Sequence, residues 1–173
     1  MNHTAATTAE PSAFAENTEH LPQPEAAGSG TSVSAELRAL SLSIKEHDIC
    51  FVVPAGAHID AYRLDLPGGI LVLGALRGKV FCSQGSAIIA RGAEFQGELD
   101  AANIYVEGRI TSPKNPRQIS RLRARGFVDS NGASTGGLAA FGAYAIVHAH
   151  IQAKAFHVLR QATFTQSMFE VID

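Results

Sequence analysis

The chain has 173 residues, 46% of them hydrophobic and 17% charged, with a formal net charge of −2. That balance describes one globular domain with ample core plus an appended segment, and it supplies no overall positive charge to draw the chain onto nucleic acid or an anionic membrane. No stretch approaches the ~20 uninterrupted apolar residues of a membrane span, the N-terminus lacks the basic-then-apolar order of a secretory signal, and the two cysteines make neither a metal motif nor a disulfide framework.

Residues 1–36 hold Glu10, Glu16, Glu19, Glu25 and Glu36 and no lysine or arginine, with prolines at 11, 22 and 24 and a run of Gly, Ser and Thr at 28–32. This composition predicts a disordered acidic tail. A short docking peptide around Phe14 or Leu21 is the functional alternative, and the missing basic charge gives no support to membrane contact through the tail. Residues 35–42 fit a brief helix, yet Leu40, Leu42 and Ile44 also alternate with Ser41 and Ser43. Both readings stay open.

From residue 51 onward the pattern is a ladder of small and branched apolar residues at every second position. Val72, Gly74, Leu76, Gly78, Val80 and Cys82 share one parity. Phe95, Gly97, Leu99 and Ala101 share another, and Ala102 and Asn103 then shift it to Ile104, Val106, Gly108 and Ile110. Strict alternation marks strands with one dry and one wet face. Corners of one or two residues suit a chain winding around a shared core, a β-solenoid, rather than hairpins. The ladder also recurs: Leu99, Ala101, Ile104 and Val106 reappear as Ile151, Ala153, Phe156 and Val158, and earlier as Ile59, Ala61, Leu64 and Leu66, while Gly56-Ala57 returns as Gly92-Ala93. These offsets fit coils of about 17–20 residues, and five to six coils in a domain spanning residues 37–173. Cys82 has the inward parity and reads as a small core hydrophobe, whereas Cys50 stands at the edge of the first apolar run. Unpaired thiols suit the reducing cytoplasm, the expected setting.

The segment 113–137 breaks the ladder. Pro113 and Pro116 flank Lys114, then Arg117, Arg121, Arg123 and Arg125 follow without an acid until Asp129, and residues 130–137 are rich in turn formers. The charges are candidates for a nucleic-acid or partner contact. No aromatic is interleaved with them, which favours a solvated interruption.

Candidate chemistry is sparse. His148 and His150 form an H-x-H pair with His157 nearby, but their parity opposes Val147, Ala149 and Ile151, so they read as surface histidines without a third zinc ligand. Glu94, Glu98, Asp100 and Glu107 take outward positions, where carboxylates keep a sheet face soluble; paired, they would suggest glycosidase chemistry. There is no G-x-S-x-G, phosphate loop or dinucleotide fingerprint. The chain is expected to be no enzyme and to need no cofactor or metal.

Residues 78–110, with G-x-V, R-G-A-E-F-Q-G-E-L-D-A and I-Y-V-E-G-R-I, resemble the repeating pattern of bactofilins, bacterial polymer-forming cytoskeletal proteins. The resemblance is looser over 51–80 and weaker over 141–168. It implies a right-handed parallel β-helix with a flexible N-terminal tail, end-to-end self-assembly without nucleotide, and a scaffold in the bacterial cytoplasm, often at the inner face of the membrane. The implied partners are further copies of the chain and proteins of cell-wall synthesis, cell shape or chromosome organisation. Two departures stand out: the interruption at 113–137, and a chain that stops at Asp173 almost within the ladder.

The two ends of such a fold carry the expected polymer interface: Phe51, Val52 and Val53 at one, and Phe164, Met168, Phe169, Val171 and Ile172 at the other. Two rival functions differ in kind. One is a left-handed hexapeptide solenoid enzyme, an acyltransferase or zinc-dependent carbonic anhydrase, using the histidines. The other is a nucleic-acid adaptor using the basic positions between 114 and 125.

Overall fold

The computed structural model describes residues 46–113, 118–128 and 130–173. The acidic tail, the alternating stretch at 40–44, and Lys114 and Arg117 lie outside them. The chain folds as an all-β parallel β-solenoid of about seven turns. Six of them carry a rung on each of three faces within the described residues.

Face one stacks Ile49–Val53, Gly69–Val72, Ala87–Ile89, Ile104–Val106, Leu138–Phe141 and Ala155–Val158, all parallel. His58–Leu66, Ala75–Cys82 and Glu94–Ala101 are long enough to serve faces two and three in one strand. In the later coils separate strands do this work. Arg109–Thr111, Ile146–Val147 and Thr163–Phe164 continue face two, and Ser120–Ala124, Ala149–Ala153 and Met168–Val171 continue face three.

The change at the corner between faces two and three has a local cause. Gly78 and Gly97 bend the long strands at φ of +133° and +135°, a conformation that costs an L-residue dearly. Where the strands are separate, serine takes over. The Ser120 hydroxyl donates to the Thr111 carbonyl at 2.5 Å and accepts the Gly97 N–H at 2.9 Å. Ser167 repeats the device, donating to the Val147 carbonyl at 2.8 Å and accepting the Ala149 N–H. Buried backbone groups at a break must find partners, and these hydroxyls supply them.

The corner between faces one and two alternates over the first five coils, and the sixth repeats the turn of the fifth, with Ala162 N–H on the Leu159 carbonyl. Four-residue turns close with Ala57 N–H on the Pro54 carbonyl, Ala93 on Ala90, and Ala145 on Gly142. In the coils between, Gly74 and Gly108 pass under the preceding turn. A Cβ on Gly74 would lie 2.5 Å from the Ala57 carbonyl oxygen, and one on Gly108 2.5 Å from that of Ala93. The sequence repeat is therefore two coils, which is why Gly56-Ala57 recurs as Gly92-Ala93. The offset of 52 also spans two coils, since Leu99 stacks on Leu122 and Leu122 on Ile151.

Ladder parity matches the interior. Val72, Leu76, Val80, Cys82, Phe95, Leu99, Ala101, Ile104, Val106 and Ile110 belong to one contiguous core. Two expectations change. The turns exceed the five to six coils that the spacing predicts. The segment 113–137 does not simply interrupt the solenoid, because Ser120–Ala124 is the face-three rung of the fourth coil, with Ser120, Leu122 and Ala124 buried and Arg121 and Arg123 outward. After that rung comes a small antiparallel hairpin, Phe127–Val128 with Ser134–Thr135.

Candidate self-association surfaces

A solenoid leaves two open edges. Among the described residues, the strands Ile49–Val53 and His58–Leu66 have a ladder partner on one side only, as do Ala155–Val158, Thr163–Phe164 and Met168–Val171 at the other end. Each edge presents backbone donors and acceptors that another chain can pair with.

At the first coil, Phe51, Ile59, Leu64 and Leu66 pack against the core but are only partly buried, and no coil among the described residues covers them. Val52 faces outward and is exposed, whereas Val53 is fully buried and offers its backbone alone. At the last coil one phenylalanine arrives from each face: Phe156, Phe164 and Phe169. Phe169 meets Phe156 at 5.4 Å and Phe164 at 5.0 Å between ring centroids, edge to face, above Phe141. Phe169 stacks in register on Ile151, an interior position, yet 46% of its surface is exposed. Met168, stacked on His150, points outward and is 54% exposed. The C-terminal residues extend the ladder as a rung. The sequence reading missed Ile59, Leu64, Leu66 and Phe156 as end-surface residues, since only register shows that they lack a neighbour.

Of the basic segment, Arg121, Arg123 and Arg125 sit beside acids. Arg121 is in register with Glu98 on one side and His150 on the other, and Arg123 with Asp100 and Gln152. Arg125 Nε approaches Asp100 Oδ1 to 2.7 Å, although that oxygen forms no well-aligned hydrogen bond. Burial pushes the Asp100 carboxyl above its ordinary range, against the opposing pull of Arg125 and Arg123. Lys79 reaches Glu98 at 3.3 Å, and Glu94 accepts the Thr111 hydroxyl at 3.0 Å.

The histidines are separated. His150 Nε2 lies 3.0 Å from Glu170 Oε2 on face three, while His157 is on face one, in register with Ala140. His148 stands at the start of the fifth coil's face-three rung, its carbonyl accepting the Ser112 hydroxyl. Among the described residues no three metal-ligating side chains gather, and no helix is long and apolar enough to cross a membrane. Burial raises the Cys82 thiol pKa to about 12, and Cys50 is exposed.

Scans of protein-family models, curated proteins and solved structures return no match to this chain.

Proposed function

We propose that this protein is a non-enzymatic scaffold of the bactofilin kind, which stacks end to end into nucleotide-independent polymers and positions cell-envelope or chromosome-organising partners in the cytoplasm. The observation that carries the reading is the last coil, where three phenylalanines converge on the interior under an unpaired strand edge. Stacking a second chain there would extend all three ladders and remove the Phe169 ring from water. Burying such a side chain is worth about 1.5–3 kcal/mol. The partly covered first coil, with Phe51, Ile59, Leu64 and Leu66, offers a second surface of the same character.

The test is negative-stain electron microscopy of the purified full-length protein without nucleotide. Regular filaments or sheets are expected. Discrete compact trimers would overturn the reading in favour of a hexapeptide-type enzyme.

A further inference from the structure

Face one turns apolar residues outward, Leu71 and Ile88 in register. Face three turns charge outward, in two columns. One runs Arg63, Lys79, Glu98, Arg121, His150 and Met168, coil by coil. The other runs Asp65, Phe81, Asp100, Arg123, Gln152 and Glu170. The two central rungs each carry a single sign. Both outward positions of the third coil's rung are acids, and both of the fourth are arginines.

Within the chain these acids are engaged elsewhere than with the arginines beside them. Lys79 Nζ lies 3.3 Å from Glu98 Oε2, and Arg125 Nε 2.7 Å from Asp100 Oδ1. Arg121 and Arg123 are exposed and form no ion pair among the described residues. The fourth coil therefore presents two guanidiniums on an open sheet face, one rung, about 4.8 Å, from a row of carboxylates.

We propose that face three docks on face three of a second copy, about a two-fold axis that lies along the strands between the third and fourth coils. Such a dyad keeps each column over itself and reverses the order of the coils. It lays Glu98 and Asp100 of each copy on Arg121 and Arg123 of the other, four contacts of opposite sign at the centre. Lys79 then meets His150, Phe81 meets Gln152, and all six rungs overlap. At the outer rungs Asp65 faces Glu170, but each already has a partner in its own chain, Arg63 at 2.8 Å and His150 at 3.0 Å. The alternative dyads fail on sign. One along the solenoid axis would set each rung on itself, Glu98 against Asp100 and Arg121 against Arg123. One centred on the third or the fourth coil would set Glu98 against Glu98, or Arg121 against Arg121. Like charges brought face to face oppose association.

The size of the face sets the strength of the docking. Rungs of about five residues at about 3.3 Å each, six of them about 4.8 Å apart, make a face of roughly 16 by 29 Å, so a pair would bury about 900 Å² in all. That is less than the roughly 1,200 Å² of a stable interface, and exposed charge pairs each add little. The pair is therefore weak, sensitive to salt and dependent on local concentration, which neighbouring chains in a polymer would raise. It stands independently of end-to-end stacking.

Sedimentation equilibrium of the full chain carrying Phe169→Arg, which blocks stacking through the last coil, tests it at about 20 mM and about 500 mM salt. A reversible dimer is expected at low salt and a monomer at high salt. Glu98→Arg and Arg121→Glu, each added to that background, should weaken the dimer about tenfold or more, because like charges then meet across the dyad. An equimolar mixture of the two should restore it to within about threefold, since the swapped pair is again opposite in sign. Glu98→Gln and Arg121→Gln should each weaken the dimer with no rescue on mixing, which separates pairing across the dyad from an effect on the fold. A chain monomeric at low salt, or a mixture no more associated than either charge-swapped variant, would overturn the proposal. A dimer indifferent to both swaps would equally overturn it and assign the contact to the first-coil end. A monomer that binds a short DNA duplex through Arg121 would overturn it in favour of a nucleic-acid contact. Should filaments persist in Phe169→Arg, the last-coil interface alone fails, and the swaps are read by microscopy, with single instead of paired filaments expected in each variant.

Discussion

Phe164 and Phe169 meet edge to face at 5.0 Å, each from a different face of the last coil. Phe164 is partly buried and also packs on Phe141 at 5.2 Å, whereas Phe169 is nearly half exposed. The two rings therefore divide the work of holding the coil and presenting an apolar end.

Phe169→Arg should abolish polymers while leaving a folded, more soluble chain, because its charge can reach solvent at the open end. Phe164→Arg should also block assembly but at a cost of roughly 3 kcal/mol to the fold, the scale of losing a packed aromatic ring. Electron microscopy paired with urea denaturation checks both. Filaments persisting in Phe169→Arg would exclude the C-terminal interface.

The nested glycines predict an unequal pair. Gly92→Ala meets no atom within 4 Å but must hold φ near +84°, so it should cost about 1–2 kcal/mol. Gly108→Ala has no such backbone problem, yet its methyl would enter the space of the Ala90 and Ala93 carbonyls. It should cost about 3 kcal/mol or more. Equal denaturation midpoints for the two variants would contradict the nesting.

Asp100 predicts a pH signature. Its folded-state pKa is raised by burial, so the native state binds the proton more readily than the unfolded state. The ionised carboxylate is a penalty at neutral pH that fades as the pH falls through the raised pKa towards the ordinary carboxylate range. Relative to Asp100→Asn, the parent chain should therefore gain stability on acidification. Denaturation curves at pH 7 and pH 4 decide, and a relative loss on acidification would mean that the Arg125 pair dominates.

The thiols should react unequally. Cys50 is exposed, while Cys82 is fully buried with its pKa pushed up to about 12. A thiol reagent at pH 8 should label one cysteine per native chain at once and the second only on unfolding. Prompt labelling of both would show that the second coil opens easily.

Much of the interior was legible because parity is a local property. Phe95, Leu99, Ala101, Ile104 and Val106 are interior as the alternation requires, and the shift at Ala102-Asn103 is a corner. Register was not legible. The sequence offset of 40 aligns Leu64 with Ile104, but Leu64 lies on face three, two coils from Leu99, and Ile104 lies on face one. All three faces show the same small, branched residues, so sequence similarity cannot tell one face from another.

The basic segment shows the same limit. Ser120, Leu122 and Ala124 keep strand parity, but three arginines at the alternate positions made the stretch read as an interruption. Its outward charges are offset by Glu98 and Asp100, 23 residues earlier in the chain. Face one hides its strands differently. Gly69–Val72 is buried on both sides, so no polar alternation marks it.

By itself the sequence determined that this chain winds short strands around a narrow apolar core, because alternate residues of a strand must face opposite ways whatever lies beside them. Which strand stacks on which, which phenylalanines close the end, and which apolar column lies outside the core were decided by tertiary structure alone. Those properties depend on hydrogen bonds and contacts between residues one full coil apart, and the length of each coil varies with its corners.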